Sequence, residues 1–103
     1  MKLTTLALTS ITKCISDNIS YAGYEEPNGN ITQFNISDVQ SSGAGTLRFS
    51  IKANFSSATH IMELILFDSE GNRWLSQPCD IRIDVSENTE VTLWFDFNIE
   101  EEL

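Results

Sequence analysis

The chain predicts an all-β fold, a single-domain antiparallel β-sandwich of seven or eight short strands over residues 1–103. Three observations carry that expectation. The stretch His60-Ile61-Met62-Glu63-Leu64-Ile65-Leu66-Phe67-Asp68 is apolar on both alternating faces (Met62, Leu64, Leu66 and Ile61, Ile65, Phe67), as suits a strand in the middle of a sheet covered on each side. Thr46 to Phe55 alternates without a break, with Leu47, Phe49, Ile51, Ala53 and Phe55 opposed to Arg48, Ser50, Lys52 and Asn54, the pattern of a half-buried strand. Turn residues separate the apolar runs, and no window reads as an amphipathic helix.

Taken in order, Leu3 to Thr9 reads as a first strand and Ile11 to Ser16 as its continuation or a second one, because threonine and isoleucine favour extended backbone. Residues 17–30 hold Gly23, Pro27 and Gly29 and read as an irregular loop, with room for a strand fragment around Ile19 to Tyr24. Tyr21 and Tyr24 are either contact residues or, as is commoner for loop tyrosines, pack over an end of the sandwich. Ile31 to Ser37 alternates, and Asp38 to Gly45 reads as a flexible connection. After the central strand, a two-residue turn at Glu70-Gly71 sets Asp68 opposite Arg73, Phe67 opposite Trp74 and Leu66 opposite Leu75; a three-residue loop with Gly71 as bulge shifts this by one. The link from Phe55 to His60 is either a hairpin, which sets Lys52 opposite Glu63, or a crossing between sheets. A last hairpin, Cys79–Ser86 with Glu90–Ile99, keeps Ile81, Ile83, Val85 and Val91, Leu93, Phe95, Phe97 inward if Glu87-Asn88-Thr89 is the loop. Its outer face then pairs Asp84 with Thr92, Arg82 with Trp94, and Asp80 with Asp96.

The run Leu47-Arg48-Phe49-Ser50-Ile51-Lys52-Ala53-Asn54-Phe55, then Leu64-Ile65-Leu66-Phe67-Asp68-Ser69-Glu70-Gly71, then Phe95-Asp96-Phe97 resembles bacterial immunoglobulin-like domains. The resemblance covers about half the chain and rests on turn chemistry. It implies the immunoglobulin-like sandwich and carries no functional residues, and the Cys-Trp-Cys spacing of antibody domains is missing.

Fifteen acidic against 6 basic residues give a net charge of −9. Phosphate contacts need Lys and Arg, so direct binding to nucleic acid or to an anionic membrane is excluded as an expectation. The first ten residues interrupt their apolar run with threonines and lack a small-residue cleavage motif, which points to a cytoplasmic protein. Cys14 and Cys79 lack metal or redox spacing. They are either one disulfide of an oxidising compartment or two buried free thiols, and the second fits a cytoplasmic chain. The sequons at Asn18, Asn30, Asn35 and Asn54 are then incidental.

A catalytic set is not legible. His60 is the one histidine; Ser56 and Ser57 lie near it, but no nucleophile elbow accompanies them, and strand-end packing is the simpler role. No phosphate loop, zinc spacing or calcium loop occurs, so no cofactor and no metal are expected. Ten of the 15 carboxylates lie from Asp68 onward. Asp80, Asp84, Trp94 and Asp96, with Glu100 and Glu101 of the acidic tail 100–103, form the candidate partner-binding set: carboxylates steer a basic partner and an exposed tryptophan supplies affinity. Alternatively, Arg82 stacks on Trp94 and screening makes the Asp80–Asp96 pair inexpensive. The expected function is a non-enzymatic binder, monomeric or a weak homodimer. It would be an inhibitor or antagonist of the phage-encoded anti-defence (anti-CRISPR) or toxin-immunity type that occupies a basic, nucleic-acid-binding surface of a protein partner. The alternative is an immunoglobulin-like structural or adhesive module of a virion or secretion assembly.

Overall fold

A computed structural model describes residues 3–43 and 45–99. One helix, α1 (Thr5–Asn18), precedes seven strands: β1 (Tyr21–Glu25), β2 (Ile31–Asn35), β3 (Asp38–Gly43), β4 (Thr46–Phe55), β5 (Thr59–Phe67), β6 (Arg73–Ile83) and β7 (Thr89–Asn98). They form a four-stranded sheet, β2-β1-β5-β6, and a three-stranded sheet, β3-β4-β7. All pairings are antiparallel. Ala22 and Tyr24, Ile61, Leu64 and Leu66 from the larger sheet meet Leu47, Phe49, Ile51, Ala53, Phe55, Leu93 and Phe95 from the smaller in one core. The all-β sandwich is thus the observed architecture. Four strands over three is also the division of a constant-type immunoglobulin domain, while the order of strands along each sheet differs from the A-B-E-D and C-F-G order of that domain.

The expected strands Leu3–Thr9 and Ile11–Ser16 are corrected by the structure: Thr5–Asn18 is the helix α1. Leu8, Thr12, Ile15 and Ile19 follow one another at spacings of four, three and four, a helical stripe. Its apolar signal is diluted because Thr12 occupies the buried centre, 4% exposed. The Thr12 hydroxyl is satisfied inside the helix, on the carbonyls of Leu8 (3.1 Å) and Thr9 (3.0 Å). Thr4 caps the start by accepting from the Ala7 N–H at 3.1 Å, and Lys13 pairs with Asp17 one turn on. Ile15 packs on the core and Ile19 enters it.

Residues 17–30 are more regular than the expected loop: α1 runs to Asn18, and the strand fragment expected around Ile19 to Tyr24 is β1, which lies between β2 and β5 inside the larger sheet. Gly23 is the reason β1 can sit there. A Cβ at this position would come within 2.9 Å of the Thr32 carbonyl and 3.0 Å of the Phe67 ring. Asp38–Gly43 is likewise a strand and not a flexible connection. Tyr24 is buried and stacks on Phe34 at 5.4 Å, and Tyr21 stacks on Phe67 at 5.0 Å, as expected of packing tyrosines.

β4 follows its alternation throughout, with all five apolar side chains buried. β5 is central as expected, flanked by β1 and β6, but its alternation breaks. The register shifts between Ile61 and Glu63, so Ile61 joins Leu64 and Leu66 in the core and Met62 is left exposed. Ile65 and Phe67 are buried on the other face, where Tyr21 covers Phe67.

The turn after β5 combines both expected forms. Asp68 and Asn72 close a three-residue loop, Asp68 N–H to Asn72 O at 3.0 Å, with Gly71 at φ 85°. Phe67 then pairs with Arg73, and a second register shift, which leaves Trp74 as the extra residue, restores Leu66 opposite Leu75. The Asp68 carboxylate accepts from the N–H groups of Glu70 and Asn72, the Asn72 amide and the Trp74 indole at 2.9–3.1 Å. These bonds, the Asn72 backbone N–H foremost, hold its pKa at about 2 against an ordinary 3.8, although desolvation pushes the other way. A depressed carboxyl stabilises the fold fully above its unfolded value and loses that contribution as pH falls through the folded one. Asp68→Ala should therefore lower Tm at neutral pH, with the difference shrinking between pH 3.8 and about 2. Paired thermal melts across that range check it; a pH-independent difference would contradict it.

Candidate functional site

The predicted last hairpin does not form. β6 pairs with β5, and β7 pairs with β4, in the other sheet. Inward residues keep their inward side, since Ile81, Ile83, Val85, Val91 and Phe97 all pack on the core. Alternation along each strand was therefore read correctly and the partner strand was not. The link from Phe55 to Thr59 crosses between sheets, and Lys52 lies opposite Thr92, not Glu63.

This rearrangement divides the predicted site. Asp80 and Asp84 belong with β6 and the larger sheet; Trp94 and Asp96 lie on the outer face of the smaller one. Asp80 and Asp96 do not face each other. Glu100 and Glu101 lie outside the described residues.

On the larger sheet, His60 stands opposite Arg82. The His60 Nε2 lies 2.5 Å from the Asp80 Oδ1, and Arg82 Nε is 3.7 Å from the same oxygen. Beside them a shallow depression of about 360 Å³ is lined by Ala58, Thr59, His60, Arg82, Ile83 and Asp84. Asp84 is exposed and without an ion-pair partner among the described residues. Nearby, Cys79 is half-buried and its Sγ contacts the Ile61 carbonyl. Burial, then the charges of Asp80 and Glu63, push its thiol pKa up, which makes it a poor nucleophile. Both cysteines are free thiols, and Cys14 is exposed on α1, not buried as expected.

The smaller sheet carries the more ordered surface. Its outer face aligns Gln40, Arg48 and Asp96 in one row and Asp38, Ser50 and Trp94 in the next. Arg48 holds Asp96 with two hydrogen bonds, Nε–Oδ1 at 2.7 Å and Nη2–Oδ2 at 3.0 Å, the bidentate geometry of strong guanidinium–carboxylate pairs. That pairing lowers the Asp96 pKa and raises that of Arg48. The same guanidinium lies 5.7 Å from the Trp94 ring centroid, within cation–π range. Arg48, not Arg82, is thus the cation beside Trp94. Trp94 remains 57% exposed, with one face of its ring beside Arg48. Gln40, Thr46, Arg48, Asp96 and Asn98 line a shallow depression of about 340 Å³ next to it.

Sequence reasoning found Trp94 and its exposure but missed Arg48, since only the β4–β7 pairing brings the two together. The unbroken ten-residue match of β4 with β7 was a usable signal: it aligns Arg48 with Asp96 and all the inward residues at once. Among the described residues no three His, Cys, Asp or Glu side chains gather as a metal site requires, and no helix is long and apolar enough to cross a membrane. Compared with protein-family models, curated proteins and solved structures, the chain matches none.

Proposed function

We propose that this chain is a non-enzymatic, acidic protein-binding domain of the cytoplasm. It acts as an inhibitor or antagonist of the anti-defence or toxin-immunity type and occupies a basic, nucleic-acid-binding surface of its partner. The observation that carries this reading is the exposed Trp94 beside Arg48 on a molecule of net charge −9. A tryptophan whose ring is held beside Arg48 loses little freedom on docking, and tryptophan and arginine together are the residue types that dominate binding energy. The surrounding negative field raises the encounter rate with a cationic surface and repels nucleic acid itself.

The test is affinity capture from the native lysate at low and at moderate salt, with wild type, Trp94→Ala and the double reversal Asp80→Lys, Asp84→Lys. The expected result is a basic nucleic-acid-binding protein retained by wild type and weakened by salt. Trp94→Ala should lower affinity at least about tenfold, roughly 1.4 kcal/mol. The double reversal on the other sheet should cost less. Retention insensitive to salt and to Trp94 would refute the reading.

A second reading, an immunoglobulin-like structural or adhesive module of a virion or secretion assembly, draws on β2, β3, β6 and β7, whose outer edges pair with no strand among the described residues. Such a module should oligomerise through an edge as concentration rises, and gel filtration separates it from a monomeric or weakly dimeric binder.

A further inference from the structure

The four free sheet edges are not equivalent. β2 has five residues. β3 has six and a register shift between Gln40 and Gly43. β6 is long but carries Pro78 and two register shifts along its pairing with β5. Short length, bulges and proline are the devices by which proteins blunt an edge. β7 has none of them. Its ten residues, Thr89 to Asn98, pair with β4 without one register shift and contain neither Pro nor Gly.

The orientation of the free backbone groups follows from three bonds. Ile99 N–H donates to the Gly45 carbonyl, so the odd-numbered residues of β7 direct their backbone groups toward β4. On β4 the Ser50 carbonyl and the Lys52 N–H are both taken by Ser37, on the β3 side, which gives the same parity. Arg48–Asp96, Ser50–Trp94 and Lys52–Thr92 are therefore the pairs without mutual hydrogen bonds. Their close Cα spacing suits the bidentate Arg48–Asp96 contact. The N–H and C=O groups of Thr92, Trp94 and Asp96 then point to the open edge.

Charge identifies what this edge fits. The carboxylates of Glu87 and Glu90, at its start, meet no cation within ion-pair distance among the described residues. In the sequence, Glu100, Glu101 and Glu102 follow close on its end. An antiparallel second copy would bring the acidic start of one β7 toward the acidic end of the other, which disfavours self-pairing. A cationic strand meets attraction at both ends.

We propose that β7 is a strand-addition site that accepts an extended, Lys/Arg-containing segment of a protein partner, pairing with the free backbone groups of Thr92, Trp94 and Asp96. This rests on the basic-partner reading and states how that partner is held. Main-chain bonds supply affinity, and the side chains flanking them select for positive charge.

Two synthetic peptides of the length of β7 test it: one of alternating lysine and valine, and one of the same sequence with every backbone amide N-methylated, equal in charge but with no N–H left on either edge to add as a strand. Both are titrated into 15N-labelled wild type and Thr92→Pro. Proline at 92 removes an N–H that faces solvent and leaves the β4 bonds intact, and an unchanged thermal melt establishes that the variant folds. The expected result is that the first peptide shifts the Thr92, Trp94 and Asp96 amides. Its affinity should fall at least about tenfold on N-methylation or in Thr92→Pro, a change of roughly 1.4 kcal/mol. Equal binding of both peptides, undiminished in Thr92→Pro, would overturn strand addition while leaving the basic-partner reading intact. Absence of binding by either peptide, or concentration-dependent self-pairing through the same amides, would count against both.

Discussion

Phe49→Ala should lower the stability of this domain by about 3–5 kcal/mol, the range for emptying a phenylalanine site in a core. Phe49 is fully buried. It lies on the middle strand of the smaller sheet, directly opposite Phe95, and Val39 is its other cross-strand neighbour. It belongs to the core cluster to which both sheets contribute. Domains of this size hold about 5–15 kcal/mol in total, and the variant should unfold at markedly lower urea. Phe97→Ala, on the same face but only partly buried, should cost less. Urea denaturation of the two variants checks both size and order. A loss below about 1 kcal/mol for Phe49→Ala would mean that the two sheets do not close over this side chain.

The second large effect concerns space. Gly23→Val should destabilise by about 1–3 kcal/mol, the usual range for forcing atoms into a filled core. Valine is a good strand former, and Gly23 has no positive φ to protect, so propensity alone predicts a gain. The neighbours decide otherwise. The first added carbon meets the Thr32 carbonyl at 2.9 Å, and a main-chain oxygen within a paired strand cannot step aside. Phe67 at 3.0 Å could rotate only by giving up its stacking on Tyr21. Gly71→Ala, in the exposed turn, should be strained for the different reason of its positive φ. Thermal melts of Gly23→Val against wild type check the sign, which is the informative part: a stabilised variant would contradict the close approach of β1 and β2.

The parts of the fold legible in the sequence were those governed by nearest neighbours. β4 announces itself because five apolar side chains alternate with polar ones, and the β5–β6 turn because Asp68, Gly71 and Asn72 leave little choice of geometry. The helix was hidden by composition. A threonine-rich segment favours strands by propensity, and its buried centre, Thr12, is polar; helical backbone satisfies that hydroxyl through the carbonyls of the preceding turn, Leu8 and Thr9. β1 is legible only as a fragment, because Gly23 signals a loop locally and a close contact in three dimensions. The candidate site was half legible. Exposure of Trp94 follows from alternation along β7, a property of one strand. Its neighbours depend on which strand pairs with β7, and the inward pattern of Ile81, Ile83 and Val85 is satisfied equally well whether β6 sits beside β7 or across the core from it. Alternation fixes the face of a side chain and is silent on the adjacent strand.

That pairing is where the binding face stands or falls, and one nuclear Overhauser experiment reads it. Cross-strand pairs that lack mutual hydrogen bonds bring their Hα atoms into close contact in an antiparallel sheet. Strong Hα–Hα contacts should therefore link Ser50 with Trp94, Arg48 with Asp96 and Lys52 with Thr92, placing Arg48 beside the exposed indole on the three-stranded sheet. Contacts of Trp94 with Arg82, and of Asp96 with Asp80, would contradict it: β6 and β7 would then form one hairpin, and the surface offered to the partner would be a repulsive carboxylate pair in place of the Arg48–Trp94–Asp96 clamp.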